Sequence, residues 1–277
     1  MNDNYGFIGL GNIGAPMAKH LLDRPQGLVV LDLEAKAMAP FVEGGATAAT
    51  SAAQVGEECS VISLMVLNDS QVRMVCDEIL TTAPAGTVIA IHSTIHPKTA
   101  IEVGTLAART GVDVVDAPVS GGFMGAHEAS LAVMVGGSSA AFEKVREPFS
   151  EFADLVLHMG ELGAGTKTKL ARNLMHFTAF TAAGEAMRLA EANELSIHDL
   201  AKVVRHSDGV TGGPGAIMLR DTTAPMAPHD DWHDTLSHVR ALGEKDLVLA
   251  LELAADSDVE LPLARLALNR LGSELGL

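Results

Sequence analysis

Residues 7–14 read Phe7-Ile8-Gly9-Leu10-Gly11-Asn12-Ile13-Gly14, and the setting of these eight residues decides the fold. An apolar run at 5–9 enters them as a buried strand, and a helical pattern at 13–22 leaves them. Glycines spaced G-x-G-x-x-G between a strand and a helix form the dinucleotide fingerprint in its required context. Gly9 permits the tight turn, Gly11 lets a pyrophosphate approach the backbone, and Gly14 lets the helix pack on the strand. Free amides at the helix start, those of Asn12 and Ile13 among them, then meet the phosphates at the positive end of the helix dipole.

The next apolar run, 27–31, is followed by Asp32, about twenty residues past the loop. A carboxylate there accepts both ribose hydroxyls of the adenosine and repels a 2′-phosphate. Leu33 and Glu34 follow with no arginine to receive such a phosphate. The expected cofactor is therefore NAD, with NADP the poorer fit. The competing reading makes Asp32 only a cap for the next helix. Apolar runs at 59–67, 87–91 and 112–116 alternate with helical patterns at 35–43, 69–80 and 98–109. Two more strands, 129–135 and 155–159, flank a helix at 139–149. Such alternation predicts a parallel sheet covered on both faces.

After Gly165 the character changes. Residues 166–194 hold no proline and a single interior glycine, Gly184, which predicts a helix ~44 Å long at 1.5 Å per residue. Helical patterns at 197–205 (Ser196 as N-cap), 235–255 and 263–271 follow, with no further strand pattern. The predicted fold is α/β: an N-terminal Rossmann-type doubly wound sheet in residues 1–164, and an all-α C-terminal domain in 165–277 joined to it by the long helix.

Composition narrows the function. Lys and Arg number 19 against 35 Asp and Glu, a net charge of −16, which argues against binding nucleic acid through its phosphates. With 48% hydrophobic but only 4% aromatic residues, the core is built from Ala, Val, Leu and Met, and the expected partner is a small molecule in a local pocket. Cys59 and Cys76 read as small core residues in a reducing compartment. No charged segment precedes an apolar one at the N-terminus, and no charge-free run reaches about 18 residues. The expectation is a soluble cytoplasmic protein with no membrane partner.

The stretch Asp116-Ala117-Pro118-Val119-Ser120-Gly121-Gly122-Phe123-Met124-Gly125-Ala126 runs from a strand end into a proline-fixed turn. Lacking Cβ atoms, its glycines let Ser120, Gly121 and Gly122 offer three N–H groups to one anion, such as a substrate carboxylate. A tight turn without a ligand is the alternative. Upstream lies the nucleotide loop; downstream, Lys169 and Asn173 stand one helical turn apart.

In that order, these pieces resemble the β-hydroxyacid dehydrogenase family, which includes 3-hydroxyisobutyrate dehydrogenase and tartronate semialdehyde reductase. Gly14-Ala15-Pro16-Met17-Ala18 extends the nucleotide loop as the family does. Ser93-Thr94-Ile95-His96-Pro97 is similar to its segment beside the nicotinamide, and residues 116–126 to its substrate signature. Gly163-Ala164-Gly165 with Lys169 and Asn173 resembles the catalytic signature, and Lys245-Asp246-Leu247 with Leu249-Ala250 a segment of the helical domain. The resemblance covers nearly the whole chain. It implies hydride transfer between a nicotinamide cofactor and a short β-hydroxy acid or its semialdehyde. Lys169 would be the general acid/base and Asn173, at i+4, would orient the substrate. Ser120, Gly121 and Gly122 would hold its carboxylate, with Leu67, Thr94 and Lys245 beside the cofactor. It also implies a homodimer or homotetramer formed through the helical half. An ammonium suits the task, since it both donates a proton and stabilises a developing alkoxide. Lys167, two positions round the helix, reads as a solvated charge.

The chain departs from the family pattern at four places: Leu67 for proline, Ile91 for aspartate, Arg172 for the first of two asparagines, and His238 for an aromatic residue. Arg172 lies three residues past Lys169 and offers a planar, permanently charged fork. It predicts a substrate more anionic than 3-hydroxyisobutyrate, bound in part by Arg172, and a depressed Lys169 pKa. An ion pair at a domain interface is the equal alternative. Lys245 pairing with Glu244 or Asp246 is likewise the alternative to a cofactor role. His229 and His233 have zinc-like i, i+4 spacing amid carboxylates, but the glutamate of a metalloprotease motif is missing and Pro225 and Pro228 precede them. A solvated acidic turn is expected there, and no metal. Residues 209–215 look too glycine-rich for a helix and read as a mobile lid or an inert connector. Glu185 and Glu191 read as structural or interface charges. Two other functions stand beside the main one: an imine reductase-like reaction, which the retention of Lys169 opposes, and a catalytically silent NAD-binding sensor or scaffold.

Overall fold

A computed structural model describes residues 4–277. The first part of the chain forms β1 (Asn4–Ile8), α1 (Gly14–Lys19), β2 (Leu28–Leu31), α2 (Ala35–Glu43), β3 (Thr47–Ala48), α3 (Ala52–Glu58), β4 (Cys59–Leu64) and α4 (Asp69–Ile79). It continues with β5 (Val88–Ile91), α5 (Pro97–Ala107), β6 (Asp113–Asp116), β7 (Val119–Ser120), α6 (Gly122–His127), β8 (Leu131–Gly136), α7 (Ser139–Phe149) and β9 (Ala153–Gly160). The sheet runs β3-β2-β1-β4-β5-β6-β8-β7, with β9 also paired to β8. Strand order reverses at β1, so the parallel strands open a crevice at their carboxyl ends beside it.

Period-two alternation along the strands sends apolar side chains to both faces. Phe7, Val30, Ala90 and Val115 join one cluster with Met17, Leu21, Phe149 and Phe152. Ile8, Val29, Ile62 and Ile89 join the other with Val55, Cys76, Ile79 and Val103. Both cysteines are buried free thiols; burial pushes Cys59 and Cys76 up to about 12.

The sheet is not parallel throughout, as alternation predicted. β8 is antiparallel to both β6 and β7. A parallel return needs a crossover of roughly a dozen residues or more, and between β7 and β8 the chain supplies only the six-residue α6. After the eleven-residue α7, β9 does run parallel to β8. The strand expected at 59–67 stops at Leu64: the Met65 amide makes the last bond of the ladder, to the Ile8 carbonyl at 2.8 Å, and residues 65–68 run on as a loop to α4. The short β3, β7, α3 and α6 escaped the periodicity reading. α3 did carry a signal: Ser51 caps it, accepting from the Gln54 amide at 3.1 Å in a Ser-x-x-Gln spacing.

The second part consists of α8 (Ala164–Ala192), α9 (Ile197–Thr211), α10 (His233–Asp256) and α11 (Pro262–Glu274). Two compact units divide the chain within α8, one ending at Arg172 and the other beginning at Asn173. Residues 209–215 depart from expectation: α9 continues through Gly209 to Thr211, and Gly212, at φ +88°, terminates it in a left-handed cap. A 3-10 turn, Gly213–Ile217, follows. Glu185 is structural: its buried carboxylate accepts the Leu263 and Ala264 amides at 2.7 and 2.9 Å, holding the start of α11. This unit leaves many apolar side chains exposed, including Leu174, Phe177, Phe180, Val203, Leu249 and Leu253. Among the described residues no helix is long and apolar enough to cross a membrane.

Candidate active site

The glycines of the first loop divide by what constrains them. A Cβ on Gly9 would strike the Met65 carbonyl, and one on Gly14 the Gly9 carbonyl, so the fold itself requires both. A Cβ on Gly11 would meet nothing within 4 Å. No packing contact explains that glycine, and close approach of a ligand to the backbone does; the loop therefore fits a dinucleotide phosphate. Gly11 and Asn12 are exposed, Ile13 is half-buried, and no side chain caps the start of α1.

Asp32 directly follows β2 and is bonded to this loop. One carboxylate oxygen accepts the Leu10 amide at 2.7 Å and the other the Glu34 amide at 2.9 Å. The second bond closes a local turn and does not cap α2, whose start carries no side-chain cap; the first ties the carboxylate to the nucleotide loop. At the carboxyl ends of β4 and β5, the buried Ser93 hydroxyl accepts from the Val66 amide (2.9 Å) and donates to the Val66 carbonyl (2.7 Å). That staple holds the loop carrying Leu67, whose side chain is 86% exposed, beside the exposed Thr94. The cofactor-side candidates Gly9, Gly11, Asn12, Ile13, Gly14, Asp32, Leu67 and Thr94 all lie at this one end of the sheet.

The candidate substrate loop is built differently from expectation at one atom. Met134 donates its amide to the Pro118 carbonyl at 3.1 Å, and two residues on, in the same phase of the ladder, Ser120 stands opposite Ala132. The Ser120 amide therefore faces β8. The Ser120 hydroxyl and the amides of Gly121 and Gly122 are the groups left for an anion. Gly121 at φ +139° and Gly122 at φ +63° occupy backbone conformations that side chains resist. His92, which sequence reasoning passed over, lies buried beneath this loop. Its Nδ1 donates to the Ala117 carbonyl at 2.7 Å, and its Nε2 accepts from Ser63, whose oxygen in turn accepts from Tyr5, each also at 2.7 Å. Burial holds the imidazole down at about 4, so it stays neutral, edge-on to Phe149 and Phe152.

Lys169 lies in the second turn of α8 and is only 8% exposed, whereas Lys167 is exposed. Its ammonium falls from the ordinary 10.5 to about 8, first through burial and then through the neighbouring Arg172 guanidinium. A lysine so placed exchanges a proton near neutral pH. Arg172 and Asn173 are half-buried. Lys245, in α10, has its ammonium 3.1 Å from Asp246, while Glu244 pairs with Arg240. The two histidines of the acidic turn do not share a helix face, because α10 starts only at His233. Among the described residues no three metal-ligating side chains converge.

Fold and loop together define a nicotinamide-dinucleotide oxidoreductase with a Rossmann-type first unit. The model of the NAD-binding domain of 6-phosphogluconate dehydrogenase matches residues 4–160. That of the NAD-binding domain of NADP-dependent 3-hydroxyisobutyrate dehydrogenase matches 163–273. The chain belongs to the β-hydroxyacid dehydrogenase family and is an NAD(P)-dependent dehydrogenase. It is 55% identical over 274 residues to an uncharacterized oxidoreductase of Mycobacterium tuberculosis, covering 98% of this chain and 92% of that one. Identity is 35% to the 3-hydroxyisobutyrate dehydrogenase of Pseudomonas aeruginosa (95% and 89% covered) and 32% to the 2-(hydroxymethyl)glutarate dehydrogenase of Eubacterium barkeri (95% and 86%). A crystallised protein of Mycobacterium avium 104 superposes with TM-score 0.95 at 48% identity, with 98% of each chain covered. An imine reductase of Myxococcus stipitatus superposes with TM-score 0.77 at 19% identity, covering 98% of this chain and 93% of that one, and shares the fold alone.

Proposed function

We propose that this chain interconverts a short β-hydroxy acid and its semialdehyde, with NAD preferred over NADP. The observation that carries the reading is Lys169, buried and depressed to about 8 in a chain of this family. When bound, the cofactor supplies hydride acceptance and donation. The chain's own residues do the rest. Gly9 to Gly14 and Asp32 hold the dinucleotide, with Leu67 and Thr94 beside it. Lys245, paired with Asp246 within its own unit, keeps its cofactor-side role on the family motif alone. Asp32 beside the exposed Glu34 presents negative charge where a 2′-phosphate would sit, which supports NAD.

Ser120, Gly121 and Gly122 hold the substrate carboxylate. As base, neutral Lys169 Nζ removes the hydroxyl proton during oxidation; as acid, its ammonium returns a proton to the alkoxide. Asn173, one turn further along α8, orients the substrate oxygen. Arg172 recognises a second acidic group, consistent with kinship to an enzyme named for a dicarboxylic hydroxy acid. The first 164 residues then form the cofactor domain, and residues 165–277 the substrate and oligomerisation domain. The apolar side chains exposed on the helical unit are those a second copy would cover, giving a homodimer or homotetramer.

Assays with NAD and NADP over three- to five-carbon hydroxy acids, with and without a second carboxylate, test this reading. Lys169→Ala should lower kcat by about 10² or more with cofactor affinity unchanged. Retained turnover in that variant would refute the assignment of Lys169.

A further inference from the structure

We propose that Asp116 is a positioning residue: its buried carboxylate fixes the first turn of α8 against the end of β6 and so sets Lys169 relative to the Ser120–Gly122 loop. Asp116 closes β6, paired with Ile91 of β5 and Gly136 of β8, and is 0% exposed. A carboxylate in such a place is tolerated only if its oxygens are hydrogen-bonded. Oδ1 accepts the Gly163 amide at 2.7 Å and Oδ2 the Thr166 amide at 2.6 Å. Such short bonds are of the charge-assisted kind. These amides belong to the start of α8, where helical N–H groups have no intrahelical partner and the dipole is positive. The junction leaves no room for side chains. A Cβ on Gly136 would strike Asp116 Oδ1, and one on Gly165 would strike the Met134 and Asp116 carbonyls.

Thr166 and Lys169 are three residues apart, within one turn, so a displacement of the helix start carries directly to the lysine. On its other side Asp116 lies four residues before Ser120, with the intervening Ala117 clamped between the Ile91 carbonyl and His92. One carboxylate thus ties the anion-binding loop to the proton-transfer helix. An asparagine could not replace it. Its single oxygen accepts one amide, and its NH₂ would point at the other, donor against donor.

The inference rests on Lys169 as the proton-transfer group, so Lys169→Ala is measured first. Asp116→Asn should lower kcat about tenfold or more, leave the dissociation constant of NAD, followed by fluorescence titration, within about twofold, and move the kcat pH limb of Lys169 upward from about 8 as water reaches a loosened helix start. Gly163→Ala, which strains a donor held at φ +95°, should act in the same direction and serves if Asp116→Asn does not fold. An inactive Lys169→Ala combined with an unmoved limb and unchanged kcat in the Asp116 or Gly163 variant, whatever the loss in Tm, would make Asp116 merely structural and overturn the inference alone. An active Lys169→Ala would remove its ground together with the proposed mechanism.

Discussion

Replacing Lys169 with methionine should stabilise the protein at neutral pH while abolishing turnover. The lysine binds its proton with a pKa of about 8 when folded and 10.5 when exposed. At about 1.4 kcal/mol per tenfold, the fold disfavours the ammonium by roughly 3 kcal/mol. Between these values the unfolded chain binds more protons than the native one, so wild-type stability rises with pH. The penalty is fully present below pH 8, shrinks as pH rises through the interval, and is gone above 10.5. Methionine has a similar length, no charge and adaptable packing. Urea unfolding of both proteins at pH 7, 8.5 and 10 should give a variant advantage of up to about 3 kcal/mol at pH 7 that declines steadily, with m-values unchanged. A difference in stability that does not vary with pH would refute the reasoning. On the proposed mechanism the same depression would serve catalysis: at pH 7 about 10% of the lysine is neutral, roughly 300-fold more than at the ordinary value.

Three further outcomes are expected. Gly11→Ala should keep the wild-type Tm but weaken cofactor binding about tenfold or more in a fluorescence titration, whereas Gly14→Ala should lose several degrees of Tm, since only its Cβ strikes backbone. Asp32→Ala should weaken NAD binding and narrow the gap to NADP; a wild type that already binds NADP more tightly would contradict the cofactor assignment. Arg172→Asn should reduce the ratio of kcat/KM for dianionic over monoanionic hydroxy acids by about tenfold or more, and an unchanged ratio would return Arg172 to a purely structural role.

What the sequence made legible follows the range of the interactions concerned. Gly9, Gly11 and Gly14 were readable because a turn, an approach and a helix contact all act within eight residues. The central strands were readable because both faces of the sheet are covered, which leaves nearly unbroken runs of Val and Ile. The antiparallel turn of β8 was not, since strand direction depends on connection length and α6 hides among glycines. Glycine content also misled at 209–211, where α9 continues and Gly212 alone supplies the stop. His92 and Asp116 were missed for another reason. Their partners lie 25 to 50 residues away, and no periodicity reports such bonds.

Helix starts nevertheless leave a trace that the sequence could have yielded. Each start has amides needing acceptors. Ser51, Asn68, Ser138 and Ser196 cap α3, α4, α7 and α9 locally. α8 begins at Gly163-Ala164-Gly165 and α11 at Leu261-Pro262, neither with a capping side chain of its own. Both borrow a buried carboxylate from a distant element, Asp116 for the one and Glu185 for the other. An uncapped start in a sequence therefore asks where its acceptor comes from, and a remote acid in an otherwise apolar run is the first place to look. The starts of α1, α2, α6 and α10 have no side-chain cap either. Two of these four, α1 and α6, are where the family motifs put a pyrophosphate and a substrate carboxylate. On the function proposed above, bound ligands would answer at α1 and α6 the need for acceptors that Asp116 answers at α8.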